Sequence, residues 1–213
     1  MRSSVLVLLA VPLSAALSGC MGPAPELGTP EATKSPSATR SPVRPLAIER
    51  DGTDPAAWTR PEDQRAQARA AGLELRSGET LTVHYHAHLD VVVDGKPVPV
   101  PAGLGIVPAA GQDPAAVASL HTHETDGVLH VEAPAQAEFT LGQVFTEWGL
   151  AFGPGWLAGF DGTDGRQVRV LVDGTPVQGD PRKVALRDKQ EIAVVVARAG
   201  EPLPPLPTTF AGL

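Results

Sequence analysis

The sequence predicts a mainly β domain with a few short helices, built as an antiparallel sheet or a barrel-like structure that carries a histidine-rich face. Three observations predict it. In "LTVHYHAHLDVVV" the odd positions are Leu81, Val83, Tyr85, Ala87, Leu89, Val91 and Val93, and the even ones Thr82, His84, His86, His88, Asp90 and Val92. That period of two puts one set against a core and lines the other on the opposite face of a strand. Asp-Gly pairs at 94–95, 126–127 and 173–174 follow or split strand-like runs, and this dipeptide is the preferred loop of a two-residue hairpin. Helix signals, by contrast, are confined to short segments.

Taken in order, "MRSSVLVLLAVPLSAALSGC" has one Arg, a short apolar run and then small residues, the pattern of a secretory signal and too short to span a bilayer. Its end, Leu17-Ser18-Gly19-Cys20, resembles the bacterial lipobox. That resemblance implies cleavage after residue 19, a lipid on Cys20 and an extracytoplasmic, membrane-anchored protein. Cys20 is the sole cysteine, so the mature chain has neither a disulfide nor a free thiolate. Residues 20–48 are rich in Pro, Ser, Thr and Ala with little to bury, and read as a disordered stalk. Residues 49–199 are the size of one domain, and 200–213 form a Pro-rich tail. The net charge of −7, with no basic stripe, argues against nucleic acid as a partner. The sequence names no protein partner.

Within the domain, "TRPEDQRAQARAAGL" predicts a weakly amphipathic outer helix, with Thr59 before Pro61 at its start and Gly72 at its end. Pro97, Pro99 and Pro101 make the strand after Asp94-Gly95 an edge. "DPAAVASL" suggests a helical turn capped by Asp113. "FTLGQVFTEWGL" is a better marked helix: Thr140 as N-cap, Gln143 as its reciprocal partner, Phe139 stapled on Val144, and Gly149 at the end. Leu141, Val144, Phe145 and Trp148 would be its buried face. The glycine-rich 153–165 reads as a loop, followed by two or three more strands. The second hairpin-like block, "VLVDGTPVQG", resembles "VVVDGKPVPV" but has no histidine.

All six histidines lie in two runs: His84, His86 and His88, then His121, His123 and His130 in "LHTHETDGVLHVE". Alternate residues on a strand are about 6.5–7 Å apart, so His84 and His88, about 13 Å apart, cannot easily share one ion. Neighbours can, with a third ligand from an adjacent strand. If Asp126-Gly127 is a two-residue loop, His123 faces His130 and His121 faces Glu132. A four-residue loop, 124–127, pairs His121 with His130, and both registers converge the ligands. A three-residue loop would split them across the sheet. Asp90 and Glu132 could add an oxygen ligand or orient an imidazole, whereas Glu124 reads as a solvated turn residue. Imidazole suits Zn, Cu, Ni and Fe. With no free Cys, and Met21 confined to the stalk, the ligand set favours Zn(II) or Cu(II) over Cu(I).

The blocks "HYHAHLDVVVDGKPVPVPAGLGI", "LHTHETDGVLHVEAP", "FTLGQVFTEWG", "VLVDGTPV" and "LRDKQEIAVVV", in this order from Leu81 to Ala197, resemble a family of secreted or membrane-anchored bacterial and archaeal proteins. The resemblance implies that the two histidine blocks share one domain and carries over no activity. Glu124 stands where that family usually has Asp. A cupin barrel is the rival architecture: Gly78, His84, His86 and Asp90 nearly fit its first motif, with Asp for Glu, while its second motif has no match. Three uses fit the histidines. One is capture or delivery of Zn or Cu(II) at the cell surface. Another is a metal-dependent enzyme with Glu132 or Asp90 as general base. A third is a structural module stapled by a metal.

Overall fold

The computed structural model describes residues 52–77, 81–109 and 115–202. The signal segment, Cys20, the stalk, Gly78, Asp113 and nearly all of the C-terminal tail lie outside them. Among the described residues no helix is long and apolar enough to cross a membrane.

The chain runs from a 3-10 turn at Pro55–Ala57 through α1 (Gln64–Ala70), β1 (Leu75–Arg76), β2 (Val83–Val93) and β3 (Lys96–Val98). Then come β4 (Ile106–Val107), β5 (Ala116–Ala118), β6 (Leu120–His121), β7 (Val128–Ala133) and α2 (Leu141–Trp148). It ends with β8 (Phe152–Gly153), β9 (Trp156–Leu157), β10 (Arg166–Val172), β11 (Thr175–Pro176), a 3-10 turn at Pro181–Lys183 and β12 (Gln190–Arg198). The main sheet has the order β11-β10-β12-β2-β7-β6. It is open rather than a barrel, which leaves the cupin comparison without its architecture. β1, β5 and β4 form a second small sheet, and β8 pairs with β9.

β2 is the spine. β12 lies along one edge, while the other edge is divided between β7, paired with Val83 to His88, and β3, paired with Val91 to Val93. The proline-bearing β3 thus pairs on one side only, as expected. Asp94 and Gly95 both take positive φ, 49° and 75°, and Asp173 and Gly174 repeat those angles, which is the primed-turn geometry that matches strand twist. The sheet is not purely antiparallel, because β12 runs parallel to β2. Ile192 to Ala197 are buried on both faces, which suits an inner strand with parallel pairing.

One face of the sheet packs on the core. Val83, Ala87, Leu89 and Val91 of β2 and Ile192, Val194 and Val196 of β12 meet Leu141, Val144, Phe145 and Trp148 of α2 there. Trp148 is anchored by its indole N–H, which donates to the Trp58 carbonyl at 2.7 Å, and its ring meets Trp58 edge-on. The start of α2 is held by the Thr140 N–H donating to Gln143 Oε1 at 2.9 Å, and Gly149 ends the helix. On the opposite face, Val92, Leu171, Ala193, Val195 and Ala197 form a smaller apolar cluster beyond the histidines.

Three local expectations change. α1 starts at Asp63, whose side chain accepts from the Ala66 N–H, and not at Thr59. A carboxylate three residues before that orphan N–H caps better than a threonine outside the turn. Gln64, Gln67 and Ala68 are buried, so α1 is less peripheral than its weak pattern suggested. Ala116–Ala118 is a strand bridging β1 and β4, where pairing on both edges overrides alanine's helical preference. The glycine-rich loop contains the β8–β9 hairpin, whose Phe152 and Leu157 are buried.

Candidate metal centre

The histidine geometry follows from register. β7 pairs with β2 so that His86 faces His130 and His84 faces Glu132. β6 pairs with β7 so that His121 faces His130. This is the register of the four-residue loop, 124–127, with Glu124 exposed on it. Three adjacent strands therefore present histidines at one level of one face. Gly127 permits the close return of this loop. Its φ is 84°, and a Cβ there would lie 2.4 Å from the Leu89 carbonyl oxygen and 3.1 Å from His88 Nε2.

Beyond His121 the strand gives way to a segment clamped by Thr122. Its hydroxyl donates to the Pro101 carbonyl at 2.7 Å and accepts from the Leu104 N–H at 3.1 Å. Thr122 is buried, and this anchor sets the chain directions of His121 and His123 on either side of it.

Five of the six predicted histidines come together with Glu132. His84 Nε2 lies 3.2 Å from His86 Nε2, and His86 Nε2 lies 3.0 Å from His130 Nδ1. His121 Nε2 lies 3.2 Å from His123 Nε2. Glu132 Oε1 is 3.5 Å from His84, 3.9 Å from His121 and 4.0 Å from His130. Donors around a tetrahedral ion with bonds of 2.0–2.1 Å stand about 3.3 Å apart, so these separations are those of ligands around an ion. Two overlapping sets are positioned to hold one: His121, His123, His130 and Glu132, and His84, His86 and His130. His130 belongs to both. Glu132, expected either to add an oxygen ligand or to orient an imidazole, sits among the nitrogens as a donor in its own right.

His121 is prepared by its surroundings. Its side chain is 1% exposed, and its Nδ1–H donates to the Ala118 carbonyl at 3.0 Å, leaving Nε2 without a proton and aimed at the cluster. Burial, then the nearby His123, brings its pKa down to about 4. Burial, then His123, His121 and His86, brings His130 down to about 4 as well. His86 is lowered by burial and by His84. These three rings are therefore neutral at pH 7, the form that ligates a metal.

His88 does not join them. In the parallel register it faces Glu191 on β12, and its Nδ1 lies 3.0 Å from Glu191 Oε2 and 3.7 Å from Asp90 Oδ2. Its Nε2 lies 2.8 Å from the Asp126 carbonyl oxygen. Asp90, expected near the metal-binding imidazoles, therefore belongs with His88. The reason is the strand rise: two steps along β2 carry His88 away from the level of His130.

Comparison with protein-family models, with curated proteins and with solved structures found no match to this chain. The donor set is therefore the guide to the chemistry. It is a nitrogen-rich set with one carboxylate and no sulfur, graded from His84, half exposed at 51%, to the buried His121.

Three participants escaped the sequence. Glu191 could be placed only by knowing that β12 lies parallel beside β2. Thr122 carried no signal beyond lying between two histidines. Glu147 on α2 is fully buried, with Oε1 lacking a partner and 2.9 Å from where a Gly105 Cβ would be. Its position three residues after Val144, on the edge of the apolar stripe, was a usable signal.

Proposed function

We propose that this is a lipid-anchored extracytoplasmic protein that binds a divalent transition metal, Zn(II) or Cu(II), through its clustered histidines for capture or delivery. The observation that carries the reading is the sharing of His130 between two ligand sets. A permanent structural ion needs one closed shell of about four donors. Five imidazoles and a carboxylate exceed that, and a shared ligand lets an ion move between sets without leaving the protein. An incoming ion meets the exposed His84 or His123 first and then gains the half-buried His86, His130 and Glu132 and the buried His121. The lipobox at Cys20 and the stalk support a surface-tethered role. A metalloenzyme would need a base beside an open coordination position. Of the two carboxylates that reading offers as base, Glu132 stands within 4.0 Å of three imidazoles, and Asp90 lies beside His88, away from the cluster.

Metal content by mass spectrometry and Zn(II) and Cu(II) titration of the untagged full chain test this. One ion per histidine cluster is expected, retained weakly or not at all by His130→Ala. Chain that folds but refuses both metals overturns the reading.

A further inference from the structure

The sixth histidine lies in a different chemical setting. We propose that His88, Asp90 and Glu191 form a second, separate cation site, selective for a harder divalent ion of the Mn2+ class. It does not depend on the imidazole cluster, with which it shares no ligand.

The position of one proton leads to this site. The Asp126 carbonyl oxygen can only accept, so His88 Nε2, 2.8 Å away, carries the hydrogen. In the neutral ring Nδ1 then presents a lone pair and no hydrogen. Yet that atom faces two more acceptors, Glu191 Oε2 at 3.0 Å and Asp90 Oδ2 at 3.7 Å. Three lone-pair donors converge on one small volume, and a positive species between them makes the arrangement favourable.

A proton on Nδ1 is the simplest such species, but it serves the group incompletely. Two carboxylates and an imidazolium still sum to −1, at residues that are mostly shielded, with side-chain exposures of 9%, 19% and 23% for His88, Asp90 and Glu191. Glu191 Oε1 is buried with no hydrogen-bond partner, which an imidazolium bonded to Oε2 does not remedy. A divalent ion cancels both carboxylate charges and can take Glu191 through both oxygens. Adjacent donors around a six-coordinate ion with bonds near 2.1 Å stand about 3.0 Å apart, close to the shorter contact here. One nitrogen and two carboxylates form a harder ligand set than five imidazoles and one carboxylate, so the two sites prefer different metals.

The site is also well founded in the fold. His88 and Asp90 are two residues apart on β2 and so share a face, and Glu191 is the register partner of His88 across the parallel ladder. The return of the 124–127 loop over Gly127 brings the Asp126 carbonyl to the ring.

The test is Mn2+ titration of the chelator-stripped full chain, followed by loss of the free-ion electron paramagnetic resonance signal. One Mn2+ per chain is expected in the wild type and in His121→Ala, with affinity at least tenfold weaker in Glu191→Gln and in Asp90→Asn. No uptake into the roughly millimolar range, or uptake unchanged in both carboxylate variants, overturns the proposal and leaves an imidazolium–carboxylate staple. A wild-type measurement removes dependence on the variants' folding. Substoichiometric Mn2+ should broaden the His88 ring resonances before those of His84, and the reverse order refutes the site. Because His121→Ala disables only the imidazole cluster, failure of one site is distinguishable from failure of the other.

Discussion

Acid should destabilise the metal-free protein through His121, by an amount the structure sets. The ring is buried, donates Nδ1–H to the Ala118 carbonyl and titrates at about 4 rather than its ordinary 6.5. Between those values the unfolded chain binds a proton that the folded one refuses. Stability therefore rises with pH across this window and falls as pH drops through it. From the two pKa values, the loss relative to pH 7 is about 2 kcal/mol at pH 5 and about 3 kcal/mol at pH 4, below which it levels off. The comparison is His121→Gln, which does not titrate and whose side-chain amide can still donate toward Ala118. Urea unfolding of both proteins in chelator, at half-unit intervals from pH 7 to pH 4, gives the difference in stability. The wild-type advantage should shrink by about 3 kcal/mol, roughly 1–2 M in urea midpoint. A difference that stays flat over this range would refute the placement of a neutral, buried His121 behind the cluster.

Four further outcomes are expected. His130→Ala should cost Zn(II) affinity more than the 10–100-fold typical of losing a supporting group, while His84→Ala, half exposed and in only one ligand set, should cost about tenfold or less by calorimetric titration. Glu147→Gln should raise the melting temperature at pH 8 more than at pH 5: burial raises this carboxyl well above its usual value, so the native state holds a proton the unfolded chain releases and stability falls as pH climbs. Gly127→Ala should destabilise the fold by about 2 kcal/mol or more, because its Cβ meets the Leu89 carbonyl at a positive φ, as denaturant unfolding would measure. Cys20→Ala should move the protein from the membrane pellet to the soluble fraction, and unchanged fractionation would remove the lipid anchor.

What the sequence disclosed and what it hid have the same origin, the difference between local and long-range information. The alternation of β2, the Asp-Gly turns and the α2 start are local, because dihedral preference and side-chain period act within a few residues. They were enough to put His84, His86 and His88 on one face and to reduce the His121–His130 hairpin to a few registers. Choosing among those registers depended on contacts from elsewhere, chiefly Thr122 held by the Pro101–Leu104 segment. The parallel placement of β12 was still less accessible, since nothing near Glu191 encodes which strand it will adjoin. The strand rise carries His88 away from the other five histidines, and that one unseen pairing gives it Glu191 as a partner.

The separation also explains why the pattern uses three alternating histidines when two would line a centre. His84 and His86 share a strand level with His130 and Glu132, where imidazoles from β6 and β7 arrive. One period further along β2, the neighbour on the far edge is Glu191 and not another histidine. The same residue type, repeated along one strand, is thus delivered into a nitrogen-rich setting at one end and an oxygen-rich one at the other. A strand can supply identical donors at fixed intervals, but the flanking strands decide what each donor joins. On this sheet they place a soft-leaning and a hard-leaning set side by side, so the two should load with different metals from a mixture, and equal loading of both by a single metal would count against that division.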